Sequence, residues 1–108
     1  MNDREFNALA DVALKRIEAG LERSDADLDF EMVSDSVLEI EFSDRSRIIV
    51  NRHDAAQEIW VAARSGGFHY RWDGTRWQDT RRDEELMAAL SRLVSEQAGE
   101  SVLLIPAR

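Results

Sequence analysis

The spacing of apolar residues changes twice along this chain, and the two changes restrict the folds it can adopt. From residue 3 to 23, apolar side chains recur every three or four positions, which predicts an amphipathic helix. From about residue 27 to 78 they alternate with polar side chains, as in half-buried strands, and after residue 80 the helical spacing returns. The sequence therefore predicts the order helix, strands, helix.

The predicted strands are joined by very short connections. They lie at about residues 27–32, 38–42, 47–52, 58–63, 68–72 and 76–78. Such connections cannot hold crossover helices, so we expect an antiparallel meander, with Asp73-Gly74 as its strongest hairpin signal. Two helices on one face of an antiparallel sheet of five to six strands form a two-layer α+β sandwich. We expect residues 1–108 to form a single domain of this kind.

The helix ends and the final segment carry local signals of their own. Asn2 or Asp3 can cap the first helix. The segment Thr80–Asp83 is similar to a capping box and predicts the start of the second helix, while Gly99 predicts its end. The apolar segment Val102–Ile105 is expected to lie in a groove between the two helices.

Composition excludes several classes of function. The chain has no cysteine, which excludes disulfides, cysteine nucleophiles and thiolate ligands for zinc or iron–sulfur clusters. Its net charge of −8 argues against nucleic acid as a partner. No basic leader followed by an apolar segment, and no long apolar run, is present, so neither a signal peptide nor a membrane span is predicted and a cytoplasmic location is expected. No catalytic triad order or phosphate-binding loop is recognisable.

The negative charge is confined to the first part of the chain. Residues 1–45 contain 13 acidic and 5 basic side chains, whereas residues 46–108 contain 9 of each. Four of the acids have the spacing that would place them within about 60° of one another on a helix, and three more follow at the period of a strand. We call these seven residues the acidic ridge: Asp11, Glu18, Glu22, Asp25, Asp27, Asp29 and Glu31. Crowded like charges oppose folding, so the ridge predicts binding to a cation or to a basic partner.

Carboxylates are hard oxygen donors that suit iron, magnesium, calcium and manganese ions. On a helix surface they cannot surround an ion, so a modest affinity for such ions is expected. Glu18 and Glu22 are the best pair to share an ion, and Asp25 and Asp29 could reach the same ion from the chain that leads into the first strand. A solvated helix face is the alternative, and Lys15, which lies within the ridge, favours that alternative because it pairs part of the charge.

The strand acids favour the binding interpretation. If the first two strands form a hairpin, Asp29 and Glu31 become cross-strand neighbours of Glu39 and Glu41. Like charges in such pairs destabilise a sheet by roughly 0.2–1 kcal/mol each. A sequence selected for stability alone would avoid them.

The tryptophans and histidines permit several interpretations. Alternation allows Trp60 either to anchor an interface on the open face of the sheet or to lie in the core. Trp72 and Trp77 flank the predicted hairpin and are expected to pack across it. His53 and His69 each lack a second ligand at metal-binding spacing, so both are interpreted as surface residues.

Several motifs, in order along nearly the whole chain, resemble the frataxins, specifically the bacterial members. They are Met1–Phe6, Leu9-Ala10-Asp11, Ile17-Glu18 before the strand acids, Ile48–Arg52, Ile59–Ala63, Ser65–Tyr70 and Gln97–Glu100. The resemblance implies a frataxin-like fold and a non-enzymatic protein of iron–sulfur cluster assembly, monomeric without iron. It also implies weak binding of Fe²⁺ and Fe³⁺ on the ridge, docking on a cysteine desulfurase, and contact with the iron–sulfur scaffold protein.

The ridge and the resemblance together give the candidate residues. The candidate iron ligands are Asp3, Asp11, Glu18, Glu22, Asp25 and Asp29. The candidate partner contacts are Glu18, Glu22, Asp25, Asp27, Asp29, Glu31 and Trp60, and on this basis we place Trp60 on the open face.

This chain departs from the frataxin pattern in the ridge. Ala19 and Asn7 stand where bacterial frataxins often have an acid and a histidine, and Lys15 and Arg23 add positive charge, so weaker iron binding is expected. Two other functions stay open. One is a ferroxidase, which would need a di-iron arrangement such as Glu-x-x-His that this chain lacks. The other is an acidic interaction module without a metal role, such as a mimic of nucleic acid.

Overall fold

The computed structural model describes residues 1–104, in which two helices pack against one six-stranded sheet. The elements are α1 (Asp3–Arg23), β1 (Leu28–Ser34), β2 (Val37–Phe42), β3 (Arg47–His53), β4 (Glu58–Ala63), β5 (Gly66–Trp72), β6 (Trp77–Asp79) and α2 (Leu86–Ala98). The strands lie in sequence order, and each neighbouring pair is antiparallel. The predicted α+β meander between two helices is confirmed. Neither described helix has the length and apolar character that crossing a bilayer would require.

The core lies between the helices and one face of the sheet. In β2, the alternation buries Leu38, Ile40 and Phe42 and leaves Glu39 and Glu41 on the other face, which we call the open face. The buried side chains of both helices belong to the same apolar cluster as those of the strands. The sheet therefore has one packed face and one face available to partners.

Helix α1 begins as its sequence predicts. The Asn2 side chain accepts a hydrogen bond from the Glu5 backbone N–H at 2.8 Å, and the Glu5 carboxylate accepts one from the Asn2 N–H at 3.1 Å. This reciprocal pair is a capping box, which satisfies donors that the first helical turn leaves free. The capping prediction is confirmed at Asn2.

The predicted start of the second helix is wrong. Helix α2 begins at Leu86, and Glu85 is its N-cap, with carboxylate oxygens that accept from the N–H groups of Met87 and Ala88. The segment Thr80–Asp83 forms a turn instead. Its backbone donors are taken by Asp79, whose Oδ1 accepts from Arg81 N–H at 2.7 Å and from Arg82 N–H at 3.0 Å. Since Asp79 already satisfies these donors, the helix starts one turn later.

The final described residues lie between the helices, as predicted. Leu104 is fully buried, and its N–H donates to Ser91 Oγ on α2 at 3.0 Å. On the other side Leu104 packs directly on α1, where a Cβ added to Gly20 would lie 2.5 Å from the Leu104 carbonyl oxygen. Only glycine permits this approach. The prediction for Ile105 lies outside the described residues.

Candidate functional site

Helix α1 has two flanks of different charge, and they face different edges of the sheet. On the flank near β1, Asp11, Lys15 and Glu18 line a groove of about 460 Å³ whose opposite wall includes Arg52. On the other flank, Arg16 lies beside the indoles of β5 and β6. Two acids of α1, Asp11 and Glu18, thus lie on the side of β1.

One ridge residue is already bound within the protein. The Asp11 carboxylate accepts a hydrogen bond from the guanidinium of Arg52, which also donates to Asn7 Oδ1 at 2.7 Å. The Arg52 side chain is only 8% exposed, so this is a fixed contact between β3 and α1. Asp11 is therefore less available to a metal ion than its position on the helix indicates.

The other six ridge residues are without ion-pair partners in the part of the chain that the structure describes. No basic group within residues 1–104 lies within 4.0 Å of the carboxylates of these six side chains: Glu18, Glu22, Asp25, Asp27, Asp29 and Glu31. Glu18 is partly buried and the other five are exposed. Their charge is consequently available to a partner in solution.

The predicted like-charge pairs of the first hairpin are present. Asp29 lies opposite Glu41, and Glu31 lies opposite Glu39, on the open face. The guanidinium of Arg47, in β3, lies near two of these carboxylates. Its Nε is 3.7 Å from Glu39 Oε1, and its Nη2 is 3.9 Å from Glu41 Oε2. One exposed cation among four carboxylates leaves a net negative surface, and this surface extends the ridge onto the sheet.

The candidate iron ligands do not form one ready-made centre. Among residues 1–104, no three His, Asp or Glu side chains are arranged to hold a metal ion. Asp3 lies near the start of α1, 3.4 Å from Gln57 Nε2, and at 1.5 Å per residue it is roughly 28 Å along the axis from Glu22. Glu18 and Glu22, on successive turns, are the pair best placed to share an ion.

Trp60 lies on the open face, as predicted, because its neighbours Ile59 and Val61 fill the core. Its indole is stacked between two imidazoles. The ring centroid of His53 is 3.9 Å away with an interplanar angle of 14°, and that of His69 is 4.4 Å away at 11°. We call His53, Trp60 and His69 the ring stack.

A buried carboxylate holds the edge of the ring stack. Glu58 accepts a hydrogen bond from Trp60 Nε1–H at 2.8 Å and another from Arg71 Nη2 at 2.5 Å. Burial by itself raises the pKa of Glu58, but the hydrogen bonds from Trp60 and Arg71 outweigh it, so the pKa lies below its ordinary value. Glu58 is therefore a charged group at neutral pH even though it is 5% exposed.

The sequence interpretation missed the ring stack. It treated His53 and His69 separately because neither has a second ligand at metal-binding spacing, and it ended the strand at residue 52, whereas His53 is the last residue of β3. The signal was in the strand register. Trp60 pairs with His69, and His53 pairs with Glu58 two residues along the same strand. Residues distant in sequence meet only once both hairpins are aligned.

A family model described as a frataxin-like domain matches residues 1–100. The chain belongs to the frataxin-like family. It is 66% identical over 104 residues to the iron-sulfur cluster assembly protein CyaY of Dechloromonas aromatica, covering 96% of this chain and 99% of that protein. It is 51% identical over 106 residues to the protein of the same name from Cupriavidus taiwanensis, covering 94% and 95%.

A solved structure agrees with these sequence relatives. The frataxin from Psychromonas ingrahamii, studied as a model of stability modulation within the CyaY protein family, is 34% identical and superposes with a TM-score of 0.90. The match covers 98% of this chain and all of that one. The resemblance and the fold class predicted from the sequence are confirmed.

Proposed function

We propose that this chain takes part in iron–sulfur cluster assembly as a non-enzymatic adaptor. The names of its relatives support a role in this process, since those proteins are called iron-sulfur cluster assembly proteins. In our proposal the acidic ridge docks on a basic surface of the cysteine desulfurase and binds Fe²⁺ or Fe³⁺ weakly, while Trp60 contacts the scaffold protein.

The observation that carries the proposal is a run of six carboxylates, from α1 through the following loop into β1, that lack an ion-pair partner among residues 1–104. Two of the six, Asp29 and Glu31, form cross-strand pairs of like charge with Glu41 and Glu39, and this repulsion opposes folding. This acidic surface lowers the stability of the fold, although the core beneath it is well packed. That combination favours a binding role, because a basic partner would remove the repulsion between the carboxylates.

The same surface supports weak binding of iron as cargo. Glu18 and Glu22 offer two hard oxygen donors on successive helical turns, and water would fill the remaining coordination positions. Asp25, in the loop after α1, and Asp29, in β1, follow Glu22 in the chain and would extend the donor set. Asp11 contributes less in this proposal, because its carboxylate is bound by Arg52.

The ferroxidase alternative has less support. A di-iron centre uses several carboxylate and histidine ligands converging on one site. The described residues contain no such group of three, and both histidines stack on Trp60, away from the ridge. The acidic module without a metal role differs from our proposal only in its response to iron, which a titration measures.

A charge-reversal pair tests docking. We expect Glu18→Lys with Glu22→Lys to weaken binding to purified cysteine desulfurase by about 10- to 100-fold, because it replaces the centre of the ridge by like charge. The matched control is Asp83→Lys with Glu96→Lys, which changes the net charge equally but lies away from the ridge. Isothermal titration calorimetry at constant salt measures both. Equal loss in the two double variants would contradict docking through the ridge.

Iron binding is tested separately by nuclear magnetic resonance. Titration with Fe²⁺ without oxygen is expected to broaden signals of residues 18–31, and Glu22→Gln should reduce this broadening. Asp11→Asn is expected to change it little, since that carboxylate is committed to Arg52. Broadening confined to His53 and His69 would contradict an iron site on the ridge.

A further inference from the structure

The contacts around Trp60 restrict it on three sides. Its two ring faces are covered by His53 and His69, and its only donor, Nε1–H, is held by Glu58. What remains for a partner is the outer edge of the indole. A tryptophan with free faces would instead offer a flat surface for stacking.

The groups that restrain Trp60 are themselves held in place. His53 Nδ1 accepts a hydrogen bond from the Ala56 N–H at 3.2 Å, which orients that ring from the turn after β3. Glu58 is bound on its second oxygen by Arg71, in the neighbouring strand. His69 Nδ1 lies 3.7 Å from Glu58 Oε1, so the carboxylate contacts two members of the ring stack.

We propose that Glu58, His53 and His69 are positioning residues that hold the indole of Trp60 edge-on as a rigid anchor for the scaffold protein. This proposal rests on the proposed docking role of Trp60. A side chain already fixed in its bound orientation loses little rotational freedom when it binds, which increases affinity without a new contact. The edge-on orientation fits a narrow apolar slot in the partner, rather than an aromatic ring that stacks on the indole.

Two properties of the chain test this proposal, and the first does not involve a partner. The chain has three tryptophans, so three indole N–H signals are expected. Removing the acceptor with Glu58→Ala should speed hydrogen exchange of the Trp60 N–H by about tenfold, a loss typical of one hydrogen bond. Trp72 and Trp77 serve as internal controls in the same spectrum, and unchanged exchange at Trp60 would overturn the role of Glu58.

The second test measures affinity for purified scaffold protein. We expect His53→Ala with His69→Ala to weaken binding by roughly three- to tenfold. A loss of this size corresponds to the entropic cost of ordering one side chain on binding. The double variant His53→Phe with His69→Phe keeps rings on both faces and should restore binding. Circular dichroism checks that each variant is folded.

Trp60→Ala separates the two proposals. If this variant loses affinity while the double alanine variant binds like the original chain, docking through Trp60 stands and the positioning role is wrong. If Trp60→Ala also binds like the original chain, the proposed docking role fails, and the anchor with it. Loss of affinity in both, with rescue by the phenylalanine rings, supports the positioning role.

Discussion

The carboxylates of the acidic ridge, in the first half of the chain, have different surroundings from those of the second half, residues 46–108. In the second half most are bound, by arginine side chains or by backbone donors: Glu58, Asp73, Asp79, Glu84 and Glu85. In the acidic ridge, only Asp11 is bound in this way within residues 1–104. The other six ridge carboxylates are therefore unpaired among residues 1–104, although residues 46–108 contain nine arginines.

This difference shows which charges serve the fold and which are available for function. Glu58 is buried with both carboxylate oxygens bound, and Asp79 is buried with its Oδ1 bound by two backbone N–H groups, so their removal would disturb the structure. The ridge carboxylates lie on the surface, where their mutual repulsion is a small cost to stability. The two halves should therefore respond in opposite directions when charge is removed.

The largest effect is expected where the two halves meet, at Arg52. Arg52→Met removes the guanidinium that joins β3 to Asp11 and Asn7 on α1, and should lower the free energy of unfolding by about 2–3 kcal/mol. Urea denaturation measures this change. The control Arg47→Met, at an exposed cation near two acids, should cost less than about 1 kcal/mol. Similar losses in both variants would contradict a special role for the Arg52 contact.

The next effect is pH-dependent and concerns Glu58. Because the pKa of Glu58 is lowered in the folded state, its charged form stabilises the fold above the unfolded pKa of roughly 4.3, and this stabilisation is lost as pH falls through the lower folded value. At pH 6 the free energy of unfolding of the original chain should be about 1–2 kcal/mol higher than that of the Glu58→Gln variant. That difference should shrink at acidic pH.

Urea denaturation at a series of pH values checks the Glu58 prediction. Glu100→Gln is the control, since that exposed carboxylate has no ion pair among the described residues. A stability difference for Glu58→Gln that stays constant from neutral to acidic pH would rule out the charge as its source.

A smaller effect of opposite sign is expected in the ridge. Glu31→Lys places a cation opposite Glu39 and should raise the free energy of unfolding by about 0.5–1 kcal/mol, because a repulsive cross-strand pair becomes attractive. Glu31→Gln should give a smaller gain. Thermal unfolding measures stability, and the same lysine variant should bind the desulfurase less tightly. A loss of stability in both variants would contradict the prediction that removing ridge charge stabilises the fold.

The smallest effect is that of salt. Raising sodium chloride to about 0.5 M should stabilise the original chain by a few tenths of a kcal/mol, because screening reduces repulsion within the ridge. The triple variant Glu18→Gln, Glu22→Gln and Glu31→Gln should gain less. Thermal unfolding at two salt concentrations compares them, and an equal gain would indicate that the salt acts elsewhere.

The predictions from the sequence succeeded where short-range patterns decide the outcome. The bounds of α1, its Asn2 cap, the Gly99 end of α2 and the six strands follow from spacing and turn residues that lie close together. The start of α2 was wrong because Asp79, outside the capping pattern, competes for the same backbone donors. Trp60 was placed correctly only with the help of the family resemblance.

The sequence by itself determined the helix–meander–helix order, the concentration of charge before residue 46 and the absence of thiol chemistry, because these depend on composition and local periodicity. Tertiary structure alone decided that Arg52 binds Asp11 and that the ring stack forms over Glu58. Both contacts join residues from different strands or layers. Their geometry depends on strand register and helix packing, which no local pattern specifies.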